Sequence, residues 1–125
     1  MDSDNFIIKI ENFDEKDNPI PYYSICILAN GDILAKNIQK INLSNIPKSI
    51  SKIDLNKLID EFIDIYFFAM KDKYIQNRDI SLPCTNLSIK WQKKYKKIIF
   101  DNSSDVPPEL IELKKLIEQI LCIEQ

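Results

Sequence analysis

Asp72, Tyr74, Arg78 and Asp79 fall in one polar stretch, and they are the first residues whose types and spacing point to chemistry. Two carboxylates beside a tyrosine can hold a cation, a polar ligand or a partner's lysine. As a catalytic pair, one of them would need its pKa raised by burial. The simpler reading is turn formation and capping, the usual work of Asp between elements. A second group, Lys90, Lys93, Lys94, Lys96 and Lys97, crowds one segment together with Trp91 and Tyr95. Interleaved cations and aromatics suit a nucleic acid or an acidic protein surface. The competing reading is a solvated hairpin tip whose aromatics point inward and whose lysines blunt an exposed edge. Strand alternation puts Trp91 opposite Lys90 and favours the simpler reading.

Other clusters carry less. Asp60, Glu61 and Asp64 read as the wet side of an amphipathic helix. Asp14, Asp17 and Asn18 resemble a calcium loop only faintly, because the spacing, the glycine and the distal glutamate are missing. Cys26, Cys84 and Cys122 lie far apart without paired spacing, so they read as small apolar residues and not as a disulfide framework or thiolate zinc site. A cysteine nucleophile would need lysine or a carboxylate as its base.

The missing residue types are more informative. There is no histidine, which excludes imidazole triads, imidazole zinc sites and the ordinary pH switch. Gly31 is the one glycine, too few for Walker or Rossmann phosphate loops. Arg78 is the one arginine, which leaves little for bidentate clamping of phosphates or carboxylates. No catalytic residue, metal ligand or cofactor is expected. The net charge of −2 and pI of about 5.2 give no global attraction to nucleic acid or anionic membrane. No apolar run reaches the ~18 residues of a membrane span. The acidic start Met1-Asp2-Ser3-Asp4-Asn5 is unlike a secretory signal, so a cytoplasmic location is the expectation.

These residues need elements to position them. A chain of 125 residues, 45% hydrophobic and 29% charged, is expected to form a single domain over residues 1–125. Phe6 to Ile10 reads as a first strand, rich in β-branched residues. Glu11 to Pro21 is polar and turn-rich. Tyr22 to Leu28 is a second strand, and Asn30-Gly31 predicts a type I′ hairpin turn, in which both residues need φ > 0. Ile33 to Ala35 returns as a third strand. Asp54 is the expected cap of a helix whose apolar stripe is Leu55, Leu58, Ile59 and Phe62, with Tyr66-Phe67-Phe68 closing it against the sheet. Lys71 to Pro83 is a connection. Leu87, Ile89 and Trp91 alternate as a half-buried strand, and a turn over Gln92 to Lys94 leads into Tyr95 to Phe100. Pro107 and Pro108 suit a first helical turn, ahead of a stripe at Leu110, Leu113, Leu116, Ile117, Ile120 and Leu121. The order β-β-β-α-β-β-α predicts an α+β fold: two layers, an antiparallel sheet of about five strands with both helices on one face.

In this order the residues resemble a family of bacterial and archaeal domains of unknown function, often carried on lipoproteins. Members start a strand with Pro-x-Tyr, to which Pro21-Tyr22-Tyr23 is similar, and follow it with a strand and glycine turn, as in Ile25 to Gly31. After the first helix they carry an aromatic and an Asp-x-Tyr element, matched by Phe67-Phe68 and Asp72-Lys73-Tyr74. An acidic residue before a Thr-bearing strand follows, similar to Asp79 and Pro83-Cys84-Thr85. Phe100-Asp101 resembles the end of the family's hairpin, and Pro108, Leu110, Leu113 and Ile117 its closing helix. The paired cysteines of the family's Pro-x-Tyr turn and its lipoprotein leader have no counterpart in this sequence. The resemblance implies a fold and no activity.

By elimination, the expected function is that of a non-enzymatic protein-binding module, with a small inhibitor, immunity or anti-defence protein as a subclass. Asp72, Tyr74, Arg78, Asp79, Lys93, Lys94 and Lys96 are its candidate partner-binding residues. A protein partner is expected and no membrane. A nucleic-acid binder using the Lys90–Lys97 hairpin is the alternative, and a carboxylate-dependent, metal-assisted enzyme built on Asp72 and Asp79 is the third reading.

Overall fold

The computed structural model describes residues 5–13, 21, 23–36, 46–75, 83–101 and 105–123. In chain order its elements are β1 (Phe6–Phe13), β2 (Tyr23–Leu28), β3 (Ile33–Lys36), α1 (Lys52–Asp64), a 3-10 turn (Phe67–Ala69), β4 (Lys73–Tyr74), β5 (Cys84–Trp91), β6 (Lys94–Phe100) and α2 (Pro108–Ile120). The six strands form one sheet in the order β3-β2-β1-β5-β6-β4. Four neighbouring pairs are antiparallel, and β4 alone runs parallel, beside the end of β6. The fold is therefore α+β as expected, with one more strand than expected and a mixed sheet. A two-residue strand is too short to show alternation, and β4 sits inside what reads as a polar connection.

One face of the sheet builds the core. Ile8 and Ile10 of β1, Tyr23, Ile25 and Ile27 of β2, Leu87 and Ile89 of β5, and Ile98 and Phe100 of β6 pack with Leu55, Leu58, Ile59 and Phe62 of α1 and with Leu110, Leu113 and Ile117 of α2. Both helical stripes thus land where their periodicity puts them. Phe62 meets Phe67 edge to face at a centroid distance of 4.8 Å, so the 3-10 turn seals the end of α1. Of the aromatic cluster Tyr66-Phe67-Phe68, Phe67 closes against the sheet, whereas Tyr66 points outward and is 77% exposed. Polar groups inside the core are paired: Tyr23 donates to Glu118 Oε2 at 3.1 Å, and Thr85 Oγ1 donates to Asn12 Oδ1 at 2.7 Å.

Local details correct several expectations. β1 runs on to Phe13, because Glu11 and Asn12 continue the ladder with both β2 and β5. The α1 cap is Ser51, whose Oγ accepts from the Asp54 backbone N–H at 3.1 Å, and Asp54 stands in the first turn beside the helix dipole. The β2–β3 connection is not a two-residue type I′ turn. Leu28 N–H donates to Asp32 O and Gly31 N–H to Leu28 O, each at 2.9 Å, which encloses a loop of Ala29, Asn30 and Gly31. Such a loop asks for a left-handed residue only at its last position, and Gly31 supplies it with φ +90°. A Cβ at Gly31 would also run into the carbonyl oxygen of Ile50. The type I′ geometry occurs instead at the β5–β6 turn, where Gln92 and Lys93 have φ of 52° and 66°.

Candidate functional site

The side of the sheet away from the helices carries a different chemistry. Register places Lys9 and Glu11 of β1 beside Cys26 and Ser24 of β2 and beside Ser88 and Asn86 of β5. Farther out, Leu34 and Lys36 of β3 pair with Cys26 and Ser24, while Lys97 and Tyr95 of β6 pair with Ser88 and Lys90. Cross-strand partners share a face, so all of these residues stand together, opposite Ile8, Ile10, Ile25 and Leu87.

Phe6 joins them through a bulge. The β1–β2 register shifts between Phe6 and Ile8, so that Phe6 pairs with Leu28 whereas Ile8 pairs with Ile27. One extra residue reverses the alternation and sends Phe6 to the face away from the helices. There it packs with Cys26, Leu28 and Leu34 in a small second apolar cluster. The Lys90 Nζ lies 4.4 Å from its ring centroid and the Lys9 Nζ 5.7 Å, distances at which a ring holds an ammonium.

Two hollows result, one on each side of Lys9 and Glu11. The larger, about 320 Å³, is bounded by Phe6, Lys9, Glu11, Ser88, Lys90, Tyr95 and Lys97. The smaller, about 200 Å³, is bounded by Lys9, Glu11, Pro21, Ser24, Cys26, Leu34 and Lys36. Their charged groups are the ammoniums of Lys9, Lys36, Lys90 and Lys97 and the single carboxylate of Glu11, toward which Ser24 Oγ donates at 3.4 Å. A chain of net charge −2 thus collects cations on one surface. Such a gathering of ammoniums attracts anionic groups.

Of the residues singled out from the sequence, Lys90, Tyr95 and Lys97 reach this face, and the other described ones go elsewhere. Lys96 turns to the helix side, where its Nζ donates to Met70 O at 2.5 Å and to Asp72 Oδ1 at 2.8 Å. Its side chain is 15% exposed, whereas that of Asp72 is 80% exposed. Tyr74 is buried, and its hydroxyl oxygen accepts from the Lys71 backbone N–H at 3.1 Å. Asp72, Tyr74 and Lys96 are therefore brought together as a fastening of β4 to β6, completed by Ile99 N–H to Asp72 O and Asp101 N–H to Tyr74 O. Lys93 sits in the β5–β6 turn, and Lys94 places its Nζ 5.9 Å from the Phe68 ring centroid. The lysine run is thus split by strand alternation: Lys90 and Lys97 face one way, Lys94 and Lys96 the other. Arg78 and Asp79 lie outside the described residues, as do Asp14, Asp17 and Asn18. Among the described residues no group of three or more Cys, Asp or Glu could hold a metal ion. Cys26 and Cys84 are buried and Cys122 is exposed, and none of the three is in a disulfide. No helix among the described residues is long and apolar enough to cross a membrane.

The Asp72–Lys96 pair gives a pH prediction. The hydrogen bond from Lys96, then its charge, hold the Asp72 carboxyl below the usual aspartate value. A carboxyl with a lowered folded-state pKa contributes its stability above the unfolded-state value and loses it as pH falls through the folded one. Side-chain carbon NMR is expected to show Asp72 titrating below ordinary aspartates, and Lys96→Met to move it back up. An unchanged midpoint in Lys96→Met would dissolve the pair.

With that geometry in place, comparison with known proteins shows that residues 18–121 fit a family described as a domain of unknown function, DUF6438. The chain belongs to that family. No curated protein and no solved structure matches it.

Proposed function

We propose that this member of the family is a protein-binding module that receives an acidic segment of a partner protein on the face of its sheet away from the helices. The observation that supports the reading is the gathering of Lys9, Lys36, Lys90 and Lys97 around two hollows that contain one carboxylate. An extended strand lying across β2, β1, β5 and β6 could set carboxylates beside these ammoniums and apolar side chains near Phe6 and Leu34. Small inhibitors and immunity-type proteins work through shape and charge in this manner, and the module fits that subclass.

Single-stranded nucleic acid is the second reading, favoured by Tyr95, which is 55% exposed beside Lys97. Such ligands stack successive bases on successive open rings. Phe6, the aromatic that borders the larger hollow beside Tyr95, is only 7% exposed and has two ammoniums near its ring, which favours carboxylates over bases. The test is fluorescence anisotropy at low salt with a short labelled peptide of alternating acidic and apolar residues, beside a single-stranded oligonucleotide of similar charge. The peptide is expected to bind more tightly and to weaken as salt screens the lysines. Preference for the oligonucleotide would transfer the face to the second reading, and no binding of either would remove both.

A further inference from the structure

A separate apolar groove opens on the helix side of the β5–β6 hairpin. It holds about 250 Å³ between the end of α1 and the hairpin, with Ile63, Tyr66, Phe68, Trp91 and Lys94 among its walls. Ile63 is 45% and Tyr66 77% exposed, so both present open surface to the groove they line. Two of its lining residues, Tyr66 and Gln92, hold left-handed φ angles of 60° and 52° without being glycine, as does Lys93 next to Gln92. Tyr66 follows the C-cap of α1, where a left-handed residue commonly ends a helix, and Gln92 and Lys93 close the β5–β6 hairpin, so two backbone turns fix the ends of the groove.

Volume and charge together select the occupant. About 250 Å³ is less than the usual ligand or cofactor cavity and is suited to one large side chain. The groove's charged wall residue is Lys94, with no carboxylate among the lining residues. We infer that this groove takes a single aromatic or large aliphatic side chain of a partner protein, with an acidic neighbour of that side chain meeting Lys94. It is a docking point distinct from the sheet face, around the hairpin tip from Lys90 and Tyr95, and it stands whether or not the sheet face binds. An anchor of this type, buried in an aromatic pocket with a charged rim, is how most interfaces concentrate their affinity.

Trp91 is the chain's sole tryptophan and lines the groove, so its emission reports occupancy directly. The probes are two acidic peptides that differ at one residue, Asp-Glu-Phe-Asp-Glu and Asp-Glu-Ser-Asp-Glu. The phenylalanine peptide is expected to shift Trp91 emission saturably and to bind roughly tenfold or more tightly than the serine peptide. Ile63→Asp, at an exposed position checked for folding by circular dichroism, is expected to abolish that ratio, and Ile63→Leu to retain it. Lys90→Glu with Lys97→Glu is expected to leave the ratio intact, which separates this groove from the sheet face. Equal binding of the two peptides, an unmoved Trp91 emission, or a ratio that survives Ile63→Asp would overturn the assignment. Self-association in sedimentation that disappears in Ile63→Asp would also overturn it, by giving the groove to a second copy of the chain.

Discussion

Phe62→Ala is expected to destabilise the domain by about 3–5 kcal/mol, the range for removing a buried aromatic and leaving a cavity. Phe62 is fully buried at the meeting of α1, the 3-10 turn and the sheet, and its ring edge contacts Phe67. Truncation there removes the transfer free energy of the ring and also the surface on which Phe67 packs. Neither helix can move in to fill the space while Leu58 and Ile59 of α1 and Leu110 and Leu113 of α2 remain held in the same core. Against a typical stability of 5–15 kcal/mol, that loss should lower the melting temperature by roughly 10–20 °C. Ile53, 80% exposed on the same helix, is the control, and Ile53→Ala should stay within about 0.5 kcal/mol of the parent. Urea titration distinguishes the two, and a Phe62→Ala change under about 1 kcal/mol would mean that the layers do not meet at this residue.

The second large effect concerns binding. Lys90→Glu combined with Lys97→Glu should weaken an acidic peptide roughly tenfold to a hundredfold, since each reversal replaces an attraction with a repulsion of similar size. Lys97 is exposed and Lys90 half-buried over Phe6, so the domain should remain folded with only a modest loss from the vacated ring contact. The matched pair Lys52→Glu and Lys57→Glu, exposed on α1, alters net charge identically on the other layer. Its affinity should change far less at moderate salt, where charges farther apart than about 8–10 Å are screened. Equal losses in both pairs would mean that the peptide responds to net charge and not to a face.

Much of this architecture is written in side-chain periodicity. The stripes Leu55-Leu58-Ile59-Phe62 and Leu110-Leu113-Ile117 have no other way to be buried than along one side of a helix, and Leu87-Ile89-Trp91 alternates as a strand must. What periodicity cannot carry is a change of phase. The bulge beside Phe6 moves one aromatic to the opposite side of the sheet, and nothing in Phe6-Ile7-Ile8 marks where the extra residue falls. The proposed binding face is accordingly hidden in the sequence, because its lysines are contributed singly by β1, β3, β5 and β6, and only the strand order makes them neighbours. Lys90 to Lys97 looked like one patch because sequence proximity ignores alternation. Folding assigns Lys96 to Asp72 and Met70 and leaves Lys90 and Lys97 with Lys9. The turns show a related limit. Asn30-Gly31 carries the stronger local signal for type I′, yet the extra residue Ala29 in that loop leaves Gly31 alone in the left-handed region, while Gln92-Lys93 adopts the geometry without a glycine. There, the β5–β6 ladder, paired from Thr85–Phe100 to Trp91–Lys94, leaves two residues to close the hairpin.

The face away from the helices, and not the hairpin as a whole, is the centre of the proposed function. Amide NMR of the labelled protein, titrated with the acidic peptide, locates the contact without any substitution. Shifts at Lys9, Glu11, Ser24, Ser88, Tyr95 and Lys97, beside any at the groove lined by Ile63, Tyr66 and Lys94, are the predicted result. Shifts centred on the exposed residues of α1 and α2, with those six unmoved, would contradict it.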